Sequence, residues 1–536
     1  MESDPTAVTP HRPGWYGALA GALAAAVALA FGELVSATND DMPGLVLGMG
    51  EWVIDVAPGF VVAESIEELG SWGKRLLLPG ITTTALLIAA ALGRASLRIS
   101  PRIGVVGFMA FGVLGGYTTA RNPLSPALWS WILALLAAVV GAATLVFLLA
   151  RLHRPTRLTT VFEDPRDPFA TRRAFLGWSA GAGALALTGW GLSGPVRGRS
   201  AAEVAREELD LTGLAPSSTA PTTTSSIAPG PVTTTPFDGE VAGLSPWLTP
   251  NDRFYRIDTA ISVPQVDPAD WTLEIKGMVD NPYALTFDDV LAMDLEEQVV
   301  TLSCVSNEVG GDLVGNARWL GVPLTRLLDE AGVQPGATQF VGRSVDNWTA
   351  GFPTDLLFDG RSAMLAIGMN GEPLPIDHGF PARLVVAGLY GYVSAVKWVT
   401  EIELTTWEDF DGYWIPRGWS KEGPIKTMSR IDVPRNRSAV TAGTTPIAGV
   451  AWSPPRGVDS VEVRVDEGPW WQCDLAVPGT DESWVQWKTT WDAAPGRHRI
   501  QVRAVDGEGQ VQPIGPKRPA PDGAEGWHTV DVIVEA

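Results

Sequence analysis

Gln298-Val-Val-Thr-Leu-Ser-Cys304-Val-Ser-Asn307 decides how the middle of this chain folds. β-Branched and apolar residues run up to a cysteine and then give way to small polar turn formers, the pattern of a strand that ends on its thiol. The flanking sequence agrees. Trp271-Thr-Leu-Glu-Ile-Lys-Gly277 alternates strictly and predicts a half-buried strand, Leu285 to Leu295 has helical spacing, and Val322 to Ala331 reads as an amphipathic helix closed by Gly332. Short strands interleaved with short helices make residues 246–426 an α+β domain. Cys304 and Cys473 are the only cysteines in the sequence, so neither a disulfide framework nor a Cys-rich zinc module can be built from them.

Residues 427–536 read differently. Val461, Val463 and Val465 alternate before Asp466-Glu-Gly468, Ile500, Val502 and Ala504 alternate before Asp506-Gly507, and Val530, Val532 and Val534 alternate again. Short strands spaced by turns, with no helical pattern between them, predict an all-β sandwich of immunoglobulin-like type. Trp470, Trp471, Trp484, Trp487 and Trp491 are expected to supply core and interface bulk rather than a sugar-stacking surface, and Cys473 to be a packed strand residue. Residues 195–245 are rich in Pro, Thr, Ser and Gly, with Thr222-Thr-Thr-Ser-Ser226 and Thr233-Thr-Thr-Pro236 at their centre. Such a segment cannot bury enough apolar area to offset its ordering entropy, which predicts a flexible linker.

The chain has 536 residues, with 39 Lys+Arg against 60 Asp+Glu and a net charge of −21. That balance repels phosphate backbones and disfavours nucleic-acid binding. Its hydrophobic share of 46% is high for an acidic protein and is concentrated in residues 1–194. Five stretches there, roughly 15–37, 76–93, 103–120, 127–150 and 174–193, approach the ~20 apolar residues that span a bilayer. Arg94, Arg98 and Arg102 follow the second, and Arg151, Arg154, Arg157, Arg166, Arg172 and Arg173 precede the fifth, which sets both loops on the cytoplasmic side. Asp40, Asp41, Glu51, Asp55, Glu64, Glu67 and Glu68 follow the first, with Arg121 the discordant charge on the outer side. Five crossings then put the remainder outside the cell membrane. None of the five histidines, His11, His153, His378, His498 and His528, lies in a span, which excludes a bis-histidine haem there. Glu33 is peripheral, so the spans read as an anchor rather than as an ion path or sensor. The fifth span opens on Thr171-Arg172-Arg173-Ala-Phe-Leu176, which resembles a twin-arginine export signal.

Around Cys304 lie Ala317-Arg-Trp-Leu-Gly-Val-Pro-Leu324, Met369-Asn-Gly-Glu-Pro-Leu-Pro375, His378-Gly-Phe-Pro-Ala-Arg383 and Ser394-Ala-Val-Lys397-Trp. Together, in this order and spacing, they resemble the sulfite oxidase family of molybdenum enzymes, which includes the periplasmic methionine sulfoxide reductase catalytic subunits. The similarity extends over residues 245–536 and includes a terminal dimerisation domain. It implies a molybdenum–molybdopterin cofactor whose metal takes Cys304 as protein ligand, soft sulfur being a suitable donor. It also implies a two-electron oxygen-atom transfer, with the catalytic role at Cys304. His378, Arg383 and Lys397 match the clamp on the pterin phosphate. Phe254-Tyr255-Arg256 matches the segment passing beside the cofactor, and Asn307, Asp346 and Ser394 complete the expected cofactor-binding set.

Two departures bear on the substrate. Sulfite oxidases carry an arginine five positions after the ligand cysteine, where this sequence has Val309 preceded by Glu308, and a tyrosine where it has Ile367. A small dianion needs concentrated positive charge in a dry pocket, so a neutral sulfoxide or N-oxide fits these residues better than sulfite. The competing reading is a catalytically silent, membrane-tethered binding module of the same fold. With no haem-binding motif, electrons are expected to pass through a separate protein or a quinone, and the terminal sandwich to form a homodimer.

Overall fold

In the computed structural model of the chain, residues 13–39, 42–58, 61, 72–122, 125–153, 168–197, 199–213 and 232–536 are described. Asp40, Asp41, Glu64, Glu67, Glu68, Arg154, Arg157, Arg166, His11 and the Thr222–Ser226 tract lie outside them. The chain divides into two compact units, residues 1–200 with 260–265 and residues 201–259 with 266–536.

The first unit is helical: α1 Trp15–Ser36, α2 Leu45–Val56, α3 Trp72–Arg98, α4 Pro101–Thr119, α5 Ala127–His153 and α6 Pro168–Arg197. Helices therefore cover all five apolar stretches, and α2 is an additional short one. Among the described residues, three are long and apolar enough to cross a membrane, Trp15–Ser36, Leu76–Arg98 and Ala127–Leu152. The local sequence explains the rest. α4 begins on Ser100, whose hydroxyl accepts from the Arg102 N–H, followed by a proline at the first helical position, but it is glycine-rich. α6 carries the paired arginines in its first turns. Small residues set the closest approach: a Cβ on Gly17 of α1 would stand 2.6 Å from the Gly93 carbonyl of α3, the arrangement by which apolar helices maximise dispersion contact.

The second unit opens with α7 Ala201–Glu208 and β1 Val232–Thr233, which corrects the linker expectation at both ends. β1 pairs in parallel with β17 Asp474–Ala476, and Phe237 and Trp247 are buried. A two-residue strand and single aromatics have no readable period, so only their tertiary partners order them.

The α+β part has two sheets. One runs β3 Tyr283–Thr286, β2 Thr272–Gly277, β11 Val399–Thr405, β6 Gln339–Ser344 and β7 Thr349–Pro353; the other runs β10 Arg383–Val386, β8 Ala363–Met369, β5 Val314–Pro323 and β4 Glu296–Ser303, with β9 Glu372–Pro373 paired to β8. The helix expected over 285–295 is a single turn, α8 Phe287–Leu291, because Tyr283–Thr286 pairs with β2 and a Thr286–Asp289 capping box starts the helix there. α9 Leu324–Ala331 buries Leu324, Leu327, Leu328 and Ala331 and ends on left-handed Gly332, as its spacing predicts. All seven residues of β8 are buried. Leu365 and Ile367 enter one core with Leu384 and Tyr390, while Met364 and Ala366 enter another with Phe254, Trp319 and Val385. The end of this sheet is thus reached by side chains from both of its faces.

Residues 428–536, together with β1, form two further five-stranded sheets. The first is β1-β17-β18-β14-β12, with β12 Met428–Val433, β14 Gly443–Trp452 and β18 Val485–Ala493. The second is β13-β20-β19-β15-β16, with β13 Ala439–Thr441, β15 Val458–Val465, β16 Trp471–Gln472, β19 Gly496–Asp506 and β20 His528–Glu535. They share one core, in which Ile447, Leu475 and Trp487 meet Val461, Val463, Ile500, Val502, Val530 and Val532. Cys473 is buried there and its thiol is free, as is that of Cys304.

Candidate active site

β4 delivers Cys304 one residue past its last paired position. The Cys304 N–H donates to the Leu313 carbonyl at 2.9 Å, its carbonyl accepts from the Asn307 N–H at 3.0 Å, and Asn307 Oδ1 accepts from the Leu313 N–H at 2.9 Å. Residues 304–313 are therefore a closed loop with the thiol at its neck. Ser306 favours the charged form of the Cys304 sulfur, yet burial is the larger effect and raises the thiol pKa. A bound cation would reverse that sign, because thiolate ligation removes the proton.

Basic side chains converge from three other segments. The single turn Ile376–His378 presents His378, the first residue of β10 is Arg383, and Lys397 follows α10 Gly391–Ser394. All three are buried, and desolvation is the leading cause of each downward pKa shift: His378 falls to about 4, Arg383 to about 10 and Lys397 to about 8, with Arg383 also repelling His378 and Lys397. Lys397 is paired with Asp258 at 2.6 Å and donates to the Asp377 carbonyl at 3.1 Å. Arg383 instead donates to the His378 carbonyl at 3.2 Å, lies 5.0 Å over the Trp319 ring, and has no carboxylate partner among the described residues. Gly379 lets these side chains close in. It has φ +110°, and a Cβ there would stand 3.1 Å from the Cβ atoms of both Arg383 and Lys397.

Phe254 and Tyr255 join the two groups. Phe254 stacks on Tyr255 at 5.2 Å and meets Trp319 and His378 edge-on at 5.7 and 5.5 Å. Burial raises the Tyr255 pKa, the Cys304 thiol raises it further, and Arg383 lowers it. The structure thus brings Cys304, Phe254, Tyr255, His378, Arg383 and Lys397 together. The other expected residues are engaged locally. Arg256 pairs with Asp258 at 2.9 Å and Asp377 at 3.5 Å; Asp346 caps the β6–β7 turn by accepting from the Trp348 N–H at 3.2 Å; Ser394 donates to the Tyr390 carbonyl at 3.1 Å; and the Asn307 carbonyl oxygen closes the cysteine loop. Sequence reasoning missed Asp258, Ser306 and Tyr390. Tyr390 comes from the opposite core, with its pKa raised chiefly by burial and also by Cys304; the Tyr390-Gly-Tyr-Val-Ser394 run beside the clamp was the available signal.

Residues 260–414 match the oxidoreductase molybdopterin binding domain family. An uncharacterised oxidoreductase of Bacillus subtilis is 35% identical over 157 residues, which cover 29% of this chain and 76% of that protein. Mitochondrial sulfite oxidase of Drosophila melanogaster is 30% identical over 53% of this chain and 59% of its own length, and that of Homo sapiens 29% identical over 50% and 57%. The chain belongs to the sulfite oxidase family of molybdopterin-dependent oxidoreductases. It spans about three fifths of the length of the animal sulfite oxidases it matches, 59% and 57% for those two. The crystal structure of the sulfane dehydrogenase SoxCD from Paracoccus pantotrophus is similar over 55% of this chain and 85% of that one, at 24% identity and a TM-score of 0.47.

Sulfite oxidase family membership implies a molybdenum–molybdopterin cofactor, and the donor set fits it. A buried thiol and a buried guanidinium that no carboxylate balances both act on Tyr255. Burying such a charge alone is costly, and an anionic group with phosphate oxygens is the partner that Arg383, His378 and Lys397 would accommodate.

Proposed function

We propose that this chain is a membrane-anchored, extracytoplasmic oxidoreductase that performs two-electron oxygen-atom transfer on a neutral oxide, a sulfoxide or N-oxide, in preference to sulfite. The observation that carries the reading is buried Arg383, which stands with buried His378 and Lys397 and has no carboxylate partner among the described residues. Cys304 would hold the metal, with Ser306 tuning its sulfur, and His378, Arg383 and Lys397 would clamp the pterin phosphate. When bound, the molybdenum centre supplies the two-electron couple and the oxygen exchange. Phe254, Tyr255 and Arg256 would line the cofactor, with Asn307, Asp346 and Ser394 shaping the loops around it.

Two features favour a neutral substrate. Ile367 is fully buried in an apolar core. Val309, on the loop that starts at Cys304, brings no charge to it, so a dianion would gain little there against its desolvation cost. Three apolar helices support membrane association. The charge pattern around them supports an outer catalytic part, and Arg172-Arg173 would act as an internal twin-arginine signal. The C-terminal sheets would form an immunoglobulin-like dimerisation domain, and electrons would pass through a separate protein or a quinone. Metal and pterin analysis of the full chain, purified from a host that makes molybdopterin, tests the assignment. One molybdenum and one pterin per chain, with turnover of dimethyl sulfoxide exceeding that of sulfite, are expected; a metal-free protein contradicts it.

A further inference from the structure

The Tyr255 hydroxyl has no hydrogen-bond partner among the described residues, which sets it apart from Tyr283, Tyr390 and Tyr392. Tyr390 accepts from the Lys426 N–H at 3.4 Å, Tyr392 donates to the Ser420 carbonyl at 2.6 Å and Tyr283 donates to the Leu327 carbonyl at 2.9 Å. The ring of Tyr255 is nonetheless fixed, stacked on Phe254 at 5.2 Å, and it remains partly exposed. Its hydroxyl stands at the end of β4: a Cβ placed on Gly391 would be 4.0 Å from both that hydroxyl and the Ser303 carbonyl, one residue before Cys304. Burial keeps the phenol neutral, and so able to donate, over the whole working pH range.

A fixed phenol with an unused proton, which feels both the Cys304 thiol and the Arg383 guanidinium, is matched by a substrate atom that only accepts. We propose that Tyr255 is the substrate-side hydrogen-bond donor of this site, binding the oxygen of a neutral sulfoxide or N-oxide beside Cys304. The assignment rests on the oxidoreductase reading above and adds a rule of specificity to it. The oxide pairs with the hydroxyl and the deoxygenated product cannot, so the site holds the oxide more tightly than the sulfide or amine.

The test uses the full chain in detergent with its cofactor loaded, comparing wild type with Tyr255→Phe. Molybdenum and pterin contents and the melting midpoint are measured first. Affinities for dimethyl sulfoxide and dimethyl sulfide are then read from perturbation of the visible absorption of the thiolate-bound metal. The variant is expected to keep metal, pterin and midpoint, to lose about tenfold in affinity for the sulfoxide, and to bind the sulfide as wild type does. Equal loss for both ligands, no loss for either, or a wild-type spectrum that dimethyl sulfoxide leaves unchanged overturns the donor role alone. Loss of pterin from Tyr255→Phe also overturns it, because the hydroxyl would then hold the cofactor and not the substrate. A wild type without molybdenum overturns the oxidoreductase reading, and the donor role with it.

Discussion

Arg383 is buried where its guanidinium meets a backbone carbonyl and the face of Trp319, and desolvation lowers its pKa to about 10. A charge held this way lowers the stability of the chain until an anion joins it, so stability and cofactor retention should respond oppositely to its removal. Arg383→Met is expected to stabilise chain produced without molybdopterin by ~1–3 kcal/mol, seen as a higher denaturation midpoint, while chain produced with molybdopterin retains at least tenfold less pterin after dialysis. A fall in midpoint in the first preparation would mean that the arginine serves the fold instead. Arg383, His378, Lys397 and Cys304 were legible in the sequence because each sits in a short motif whose residue types fit a thiolate ligand and an anion clamp. Tyr390 and Asp258 were missed although each stands within a few residues of a recognised motif, because spacing does not tell which of those side chains tertiary packing turns toward the site.

At the scale of elements, β4 is fixed from outside its own domain. The Thr301 N–H donates to the Glu482 carbonyl at 3.0 Å, Thr301 Oγ1 accepts from the Trp484 N–H at 2.7 Å and donates to Asn316 Oδ1 at 2.9 Å, and Glu482 accepts from the Ser362 N–H at 2.6 Å. The strand carrying the thiol is thereby tied to the C-terminal sheets. Thr301→Val keeps the shape and strands a buried N–H and a buried amide oxygen, so a loss of ~2–4 kcal/mol is expected by urea denaturation, together with weaker metal retention. Strands were readable here wherever alternation ran for several residues, as in β2, β15 and β19. Over 285–295 the apolar spacing was helical, yet pairing with β2 claimed the first residues and left one turn of helix. The ends of the linker failed for a related reason: Val232–Thr233 is a strand only because β17 offers it an edge.

Across the second unit as a whole, the cysteine loop meets the C-terminal sheets at a titratable contact. Arg430 donates to the Gly311 carbonyl at 2.8 Å, the His528 ring packs against Gly310, and His528 Nδ1 accepts from the Ile431 N–H at 2.9 Å. That bond requires neutral imidazole. Burial first, then Arg430, lowers the His528 pKa to about 4, with Asp432 opposing. Between pH 4 and about 6.5 the unfolded chain binds a proton that the folded chain refuses, so this residue makes stability rise with pH through that window and fall on acidification. His528→Gln, whose amide oxygen can accept the same N–H, should melt at nearly the wild-type temperature at pH 7 and lose less than wild type at pH 4.5; parallel losses would remove the effect from His528. The broad plan of the molecule was readable because composition changes sharply along it, from apolar to Pro/Thr-rich to alternating. The contacts between the α+β part and the terminal sheets were not, because single residues such as Arg430 and His528 carry them.

The proposed metal site turns on one sulfur, that of Cys304. X-ray absorption at the molybdenum edge, recorded on the full cofactor-loaded chain and on Cys304→Ser with matched pterin content, counts the sulfur neighbours of the metal directly. The wild type should show one more sulfur scatterer than the variant; identical sulfur shells in the two proteins would contradict the assignment of Cys304 as the metal ligand.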